Sequence, residues 1–238
     1  MTIRAEKIAP DTASKAVPDE HQIVDKIFTA VMEQQLPPNT KLSESQLCKS
    51  FGVGRMRVRR ALLLLANQGI VELYSNRGAF IACPDQKSAH EVFEVRRVLE
   101  TAVVRQIAGG AEPHNLKDLE YQIEIEEQAV KSRDRRQIIR LSGKFHVGLA
   151  VATGNSVYKN MMRELVTRTS LIIGLFGTSG VSSCPVHEHS DILSAIRSRD
   201  KDLAEELVCA HLLHIEADLD LSGKHSEQPD LVSILGNP

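Results

Sequence analysis

Cysteine is sparse and unpatterned in this chain of 238 residues: Cys48, Cys83, Cys184 and Cys209 form no CxxC pair and no closely spaced framework. That scatter excludes a disulfide-stapled scaffold and suits a reducing compartment holding ordinary semi-buried thiols. Long apolar runs are missing too. Nothing approaches the roughly 18 uninterrupted apolar residues of a membrane-crossing helix, and the opening MTIRAEKIAPDTASKAVPDE holds no apolar block resembling a secretory signal. A cytoplasmic protein with no membrane partner is the expectation. Catalytic signatures are equally absent: there is no HExxH, no GxSxG, no phosphate-cradling glycine loop, and no repeat, heptad or low-complexity tract.

Apolar residues make up 42% of the chain, enough to give two ordinary domains a core each. The formal net charge of −2 hides an asymmetry, because residues 1–83 carry 11 Lys and Arg against 8 Asp and Glu, whereas residues 84–238 carry 18 against 23. Only the first part suits a polyanion. Four of its arginines, Arg55, Arg57, Arg59 and Arg60, fall within six residues with no acid among them.

Residues 1–20 are polar, contain Pro10 and Pro18, and read as a flexible arm. From His21 onward Ile23, Val24, Ile27, Phe28, Val31 and Met32 recur at helical spacing until Pro37-Pro38 stops them. A short second helix opens at Ser43, where Ser43 and Gln46 have the spacing of a reciprocal capping box, and closes at Phe51-Gly52. A third runs from about Arg55 to Asn67, with Val58, Ala61, Leu62 and Leu65 as its buried stripe and Gly69 just past its end. Two helices joined through Gly-Val-Gly make a helix-turn-helix. Ile70–Tyr74 and Ala79–Ile81 then read as two strands around the turn Ser75-Asn76-Arg77-Gly78, a two-stranded wing.

Beyond Pro84 no strand signal remains. Helices are expected at about 86–108, 114–131, 133–153, 156–178, 186–198 and 200–221, with Asn155 better placed as a cap than as a pocket residue. The expected fold is therefore mainly α, with a winged helix-turn-helix over 21–83, an antiparallel bundle of about six helices over 84–222, and a flexible tail over 223–238.

In a helix-turn-helix the second helix enters the major groove of DNA. Arg55, Arg57 and Arg59 begin that helix here, and the planar fork of arginine pairs with guanine edges or with phosphate. An arginine run on a helix is ordinarily a solvated face. The turn before it and the wing after it argue for duplex DNA as the partner.

In the second half, His189 lies ten residues before the corner at Arg199 and His211 twelve after it. At about 1.5 Å rise per residue the two imidazoles stand level on adjacent antiparallel helices. His146, beside Phe145 on another helix, could add a third nitrogen from across the bundle. Three neutral imidazoles suit zinc or nickel, and histidines of an ordinary core or polar pocket are the alternative. His187 and His214 read as bystanders.

The stretch PPNTKLSESQLCKSFGVGRMRVRRALLLLANQGIVELYSNRGAFI resembles the winged-helix signature of the GntR family of bacterial regulators. The matches include Leu42, Glu44, Leu47, Phe51-Gly52-Val53, Arg55, Val58-Arg59, Ala61-Leu62, Leu65, Gly69 and Asn76-Arg77-Gly78. The resemblance implies DNA contacts from Ser45, Arg55, Met56, Arg59 and Gly78. Gly54 stands where the family usually has Ser, and Met56, Arg57 and Arg60 replace Thr or Asn, Pro and Glu, so the operator sequence need not be a familiar one.

FEVRRVLE, KFHVGLAVATGN and EHSDILSAIRSRDKDLAEELVCAHL resemble motifs of the FCD ligand-binding domain of the FadR-type branch. Many such domains bind a divalent metal through three His and an Asp, and its open positions help hold a small carboxylate. His146, His189 and His211 match, but Ser142 occupies the Asp position. Arg96 and Arg168 match positions often directed into the cavity, although Arg96 is also spaced for a salt bridge with Glu100.

The resulting expectation is a ligand-responsive, homodimeric DNA-binding regulator on an inverted-repeat operator, a repressor by family habit, with an organic acid as effector and zinc or nickel as the metal. A metal-dependent enzyme on the three-histidine site and an architectural DNA binder without an effector are the alternatives.

Overall fold

A computed structural model of the chain describes residues 18–110, 116–177 and 186–220. The arm up to residue 17 and the tail from residue 221 lie outside the described residues.

Helix α1 (Glu20–Met32) starts with a reciprocal capping box: Gln22 N donates to Asp19 Oδ1 at 2.8 Å, and Asp19 N donates to Gln22 Oε1 at 2.9 Å. The box expected at Ser43 does not form. Ser43 does precede α2 (Glu44–Phe51), but its hydroxyl lies 2.9 Å from Ser45 Oγ and caps no backbone amide, a local side-chain bond winning over the cap. Gly52 closes α2 in the left-handed region, φ 65°, and turns the chain into α3 (Arg55–Asn67).

Strands β2 (Val71–Tyr74) and β3 (Gly78–Ile81) form the antiparallel wing, its turn carried by Asn76 at φ 62° and Gly78 at φ 94°. The sheet has a third strand that the sequence reading lacked. Lys41–Leu42, β1, pairs with β3 through Lys41 opposite Phe80 and Leu42 opposite Ala79, giving the order β1-β3-β2. Two residues are too few to show an alternation. Ile23, Ile27, Leu47, Val58, Leu65, Ile70 and Ile81 fill the core of this head.

The second domain is built from α4 (Gln86–Gly109), α5 (Leu116–Ser132), α6 (Arg135–Ala152), α7 (Ser156–Phe176), α8 (Val186–Arg197) and α9 (Lys201–Ala217). Helix α4 is its axis, packing on α6, α7, α8 and α9, while α5 lies against α6 and α8. Asp85, Asp134, Asn155 and Asp200 cap four of these helices through their side chains, so Asn155 is spent on amides at the start of α7.

Helix α7 belongs to both domains. Its Leu171 is buried in the core of the head, whereas Ile172 and Ile173 are buried in the helical core. Ser170 Oγ donates to Met32 O at 3.3 Å, Gln34 Nε2 to Ser170 O at 3.3 Å, and Arg168 Nε to Gln68 O, at the end of α3, at 3.2 Å. Arg168 packs flat on Gly69, whose φ is 67°. A methyl group there would meet the guanidinium and a left-handed backbone together. Gly69→Ala is therefore expected to destabilise the fold by about 1–3 kcal/mol, seen as a lower urea midpoint. An unchanged midpoint would show that this contact is dispensable.

Candidate nucleic-acid interface and metal centre

Val58, Ala61, Leu62 and Leu65 are buried beneath α3, which forces the intervening side chains outward. Arg55 and Met56 are exposed at its N-terminal end, Met56 to 64%, and Ser45 of α2 and Gly78 of the wing are exposed as well. Among the described residues no hydrogen bond or ion pair engages Arg55. Arg59 is held by Glu44 of α2, its Nε 2.9 Å and 3.0 Å from the two carboxylate oxygens. Arg57 is half-buried, and its Nη1 donates to Pro18 O at 3.1 Å, so without DNA it steadies the approach to α1. Arg77, passed over as a contact in the sequence, lies at the wing with its guanidinium 5.0 Å from the Tyr74 ring centroid and 5.6 Å from that of Phe80.

The three histidines converge. His146 of α6, His189 of α8 and His211 of α9 are all buried, with His211 Nε2 3.2 Å from His146 Nε2 and 3.3 Å from His189 Nε2. Each opposite nitrogen faces a carboxylate: His146 Nδ1 is 2.6 Å from Glu100, His189 Nδ1 2.8 Å from Glu126 and His211 Nδ1 2.7 Å from Glu188. Phe145 stacks on His189 at 4.1 Å and fixes that ring from its face. His214, a bystander in the sequence reading, binds the other oxygen of Glu188 at 2.8 Å and so supports the set indirectly.

Burial holds His146 at about 3, although Glu100 pulls it upward. Burial likewise keeps His189 well below the ordinary imidazole value, with the charge of His211 acting in the same direction. Glu100 stays ionised at about 2 because Arg96, and then His146, outweigh the opposing effect of burial. Burial pushes Glu126 up to about 8, and its buried Oε1 has no hydrogen-bond partner among the described residues.

Such a donor set fits a cation. Nitrogen ligands about 2.0–2.1 Å from a tetrahedral zinc are separated by about 3.3 Å, the spacing seen along both measured edges. Carboxylates behind each ring fix the tautomer and raise donor strength. The underpartnered Glu126 is the kind of group that a neighbouring positive charge would settle. Ser142 is buried but offers only a neutral hydroxyl.

Beside His146 lies a narrow cavity of about 30 Å³ lined by residues including Arg96, Ser142, His146, Thr169 and Met32. Arg96 lines this cavity and also makes the salt bridge its spacing to Glu100 allows. Its Nε donates to Glu100 at 2.7 Å and its Nη1 to Thr169 Oγ1 at 3.2 Å, while the buried Nη2 has no hydrogen-bond partner among the described residues and is a spare donor. Arg168 is not brought there. It pairs with Glu164 at 2.8 Å and bonds the head through Gln68.

Residues 20–81 match the bacterial regulatory proteins of the gntR family, and residues 91–214 match the FCD domain. The chain belongs to the GntR family of bacterial regulators and carries an FCD domain; it is a transcriptional regulator. It is 28% identical over 203 residues to the HTH-type regulator YdhC of Bacillus subtilis, spanning 84% of this chain and 90% of that one. It is 26% identical to the repressor NanR of Salmonella newport, spanning 95% and 93%, and 23% identical to the repressor RspR of Escherichia coli, spanning 83% and 87%. A GntR regulator from Rhodococcus sp. RHA1 shares the fold with a TM-score of 0.72 at 21% identity, covering 83% of this chain and 95% of that one. These relatives are DNA-binding regulators, which sets aside the enzymatic alternative.

Proposed function

We propose that the protein is a cytoplasmic repressor that binds an inverted-repeat operator as a homodimer and answers to a small carboxylate. What carries the reading is the position of one helix. The cavity lined by Arg96 and His146 is backed by α7, and α7 bonds the end of α3 through Arg168. On the DNA side, Ser45, Arg55, Met56, Arg59 and Gly78 supply the contacts, with Arg77 at the wing edge and Arg57 bracing the head.

Zinc or nickel held by His146, His189 and His211 would offer open positions to one oxygen of the effector. Arg96 then directs its free Nη2 to the other oxygen. Effector binding alters DNA affinity by favouring one placement of the reading heads over another. A short winged module makes few base contacts, which favours symmetric half-sites and a two-fold protein. Val98, 72% exposed, and Val95 on the outer side of α4 suit contact with a second copy. The repressor relatives NanR and RspR favour repression as the sign.

The test is fluorescence anisotropy of a labelled promoter fragment titrated with metal-loaded protein, repeated with a panel of organic acids. One acid is expected to change DNA affinity at least tenfold. Arg96→Lys retains a charge for Glu100 but lacks the fork, so it should blunt that response while binding DNA normally. A variant that responds like the parent removes Arg96 from effector recognition, and indifference to every acid counts against the carboxylate.

A further inference from the structure

A second, larger cavity opens between the head and the helical domain. It encloses about 330 Å³, within the span of small-molecule sites, and its wall includes Phe28 of α1, Arg140, Lys144 and Val147 of α6, and Arg163 of α7. Three of its lining side chains are cationic and none is acidic. Two of the cations have counter-charges at the rim: Arg140 Nε lies 3.6 Å from Glu33, and Arg163 pairs with Asp25 while its guanidinium covers the Phe28 ring at 4.3 Å. Lys144 is different. Among the described residues its ammonium has no hydrogen bond or ion pair, and it stands one helical turn from Arg140. Its side chain is exposed to solvent, yet partial desolvation, and then the charge of Arg140, lower its pKa against a smaller pull from Glu33. An anion between these two groups would relieve both penalties.

We propose that this junction is a second binding site, distinct from the metal-centre cavity, for an organic anion with an apolar body. The head group, a carboxylate or phosphate, sits between Lys144 and Arg140, and the body lies along Phe28, Met32 and Val147. The occupant touches α1 of the DNA-reading head and α6 of the effector domain together, so it holds the two in one placement. Met32, Gly143 and Val166 line both cavities, and this common wall makes occupancy of one felt in the other. Only the effect on DNA rests on the function proposed above; binding itself does not.

The probe is 8-anilinonaphthalene-1-sulfonate, an apolar ring system bearing a fixed negative charge, titrated into the full chain without DNA. The expected result is saturable fluorescence at one dye per chain, with at least a tenfold loss of affinity in Lys144→Glu and in Val147→Trp, which fills the cavity. Lys131→Glu, the same charge reversal at an exposed position that lines neither cavity, should leave dye affinity within twofold. Octanoate and octyl phosphate are expected to displace the dye where octanol does not, and their relative strength distinguishes the two head groups. Cooperative melting of each variant guards against dye binding to loosened chain, and Lys144→Gln replaces Val147→Trp if the latter unfolds. Parental affinity in Lys144→Glu, or displacement by octanol as strong as by octanoate, overturns the proposal. Because DNA is absent, failure here leaves the anisotropy result standing, and failure there leaves this one.

Discussion

Arg55→Ala is expected to cut sharply the preference for the operator over random duplex while leaving the fold unchanged. A bidentate arginine contact to a base contributes about 1–3 kcal/mol of discrimination. Two half-sites double it, and a tenfold change corresponds to about 1.4 kcal/mol. The loss in a dimer is then roughly thirtyfold or more. Arg55 has no partner among the described residues, so its truncation removes no internal contact. Arg59→Ala should lose comparable specificity and slightly more stability, because Arg59 is paired with Glu44 in an exposed ion pair. Anisotropy at physiological salt with specific and random duplexes decides the matter, beside thermal melting. Undiminished preference in both variants would move the groove-facing surface elsewhere.

The head was legible because its periodicities are strong and its punctuation is glycine. Val58, Ala61, Leu62 and Leu65 mark the buried side of α3 by their spacing alone, and Gly52 and Gly69 adopt the positive φ values that end helices. What escaped was short or competitive. β1 has two residues, and Ser43 chose a neighbouring hydroxyl over a backbone amide. Arg57 looked equivalent to Arg55 and Arg59, yet the rotation of the helix turns it toward Pro18.

Spacing alone put His189 and His211 level with each other, and their nitrogens do meet at 3.3 Å. The carboxylates behind them were not legible to the same degree. Glu100 was visible as a partner for Arg96, but Glu126 lies among Glu120, Glu124 and Glu127 on α5 with nothing in the sequence to single it out. Arg168 could not be told from a pocket residue, because which side of a doubly buried helix faces which domain depends on packing between distant segments.

His189→Ala is expected to eliminate stoichiometric zinc or nickel. Removing one of three converging nitrogens leaves two neutral donors and no anionic one to compensate. For the parent chain, metal at about a thousandfold excess over its dissociation constant adds roughly 4 kcal/mol. A protein of this size shifts by about 2–4 °C per kcal/mol, so chelation should lower the parent's melting temperature by roughly 10 °C. The variant should be indifferent to chelator and to added metal. Elemental analysis of purified protein, followed by melting with and without EDTA, reads both effects. A parent chain that takes up no zinc or nickel and melts identically in chelator would make the three imidazoles plain core residues.

Because α7 is shared between two hydrophobic interiors, it cannot be tuned for one alone. Thr169 holds Arg96, and its neighbours Arg168 and Ser170 grip the head. A lineage that altered this segment to admit a new inducer would shift the resting poise of its promoter at the same stroke. Divergence in what such a switch senses is therefore expected to drag its unstimulated set point along, with compensating changes at Met32 or Gln68.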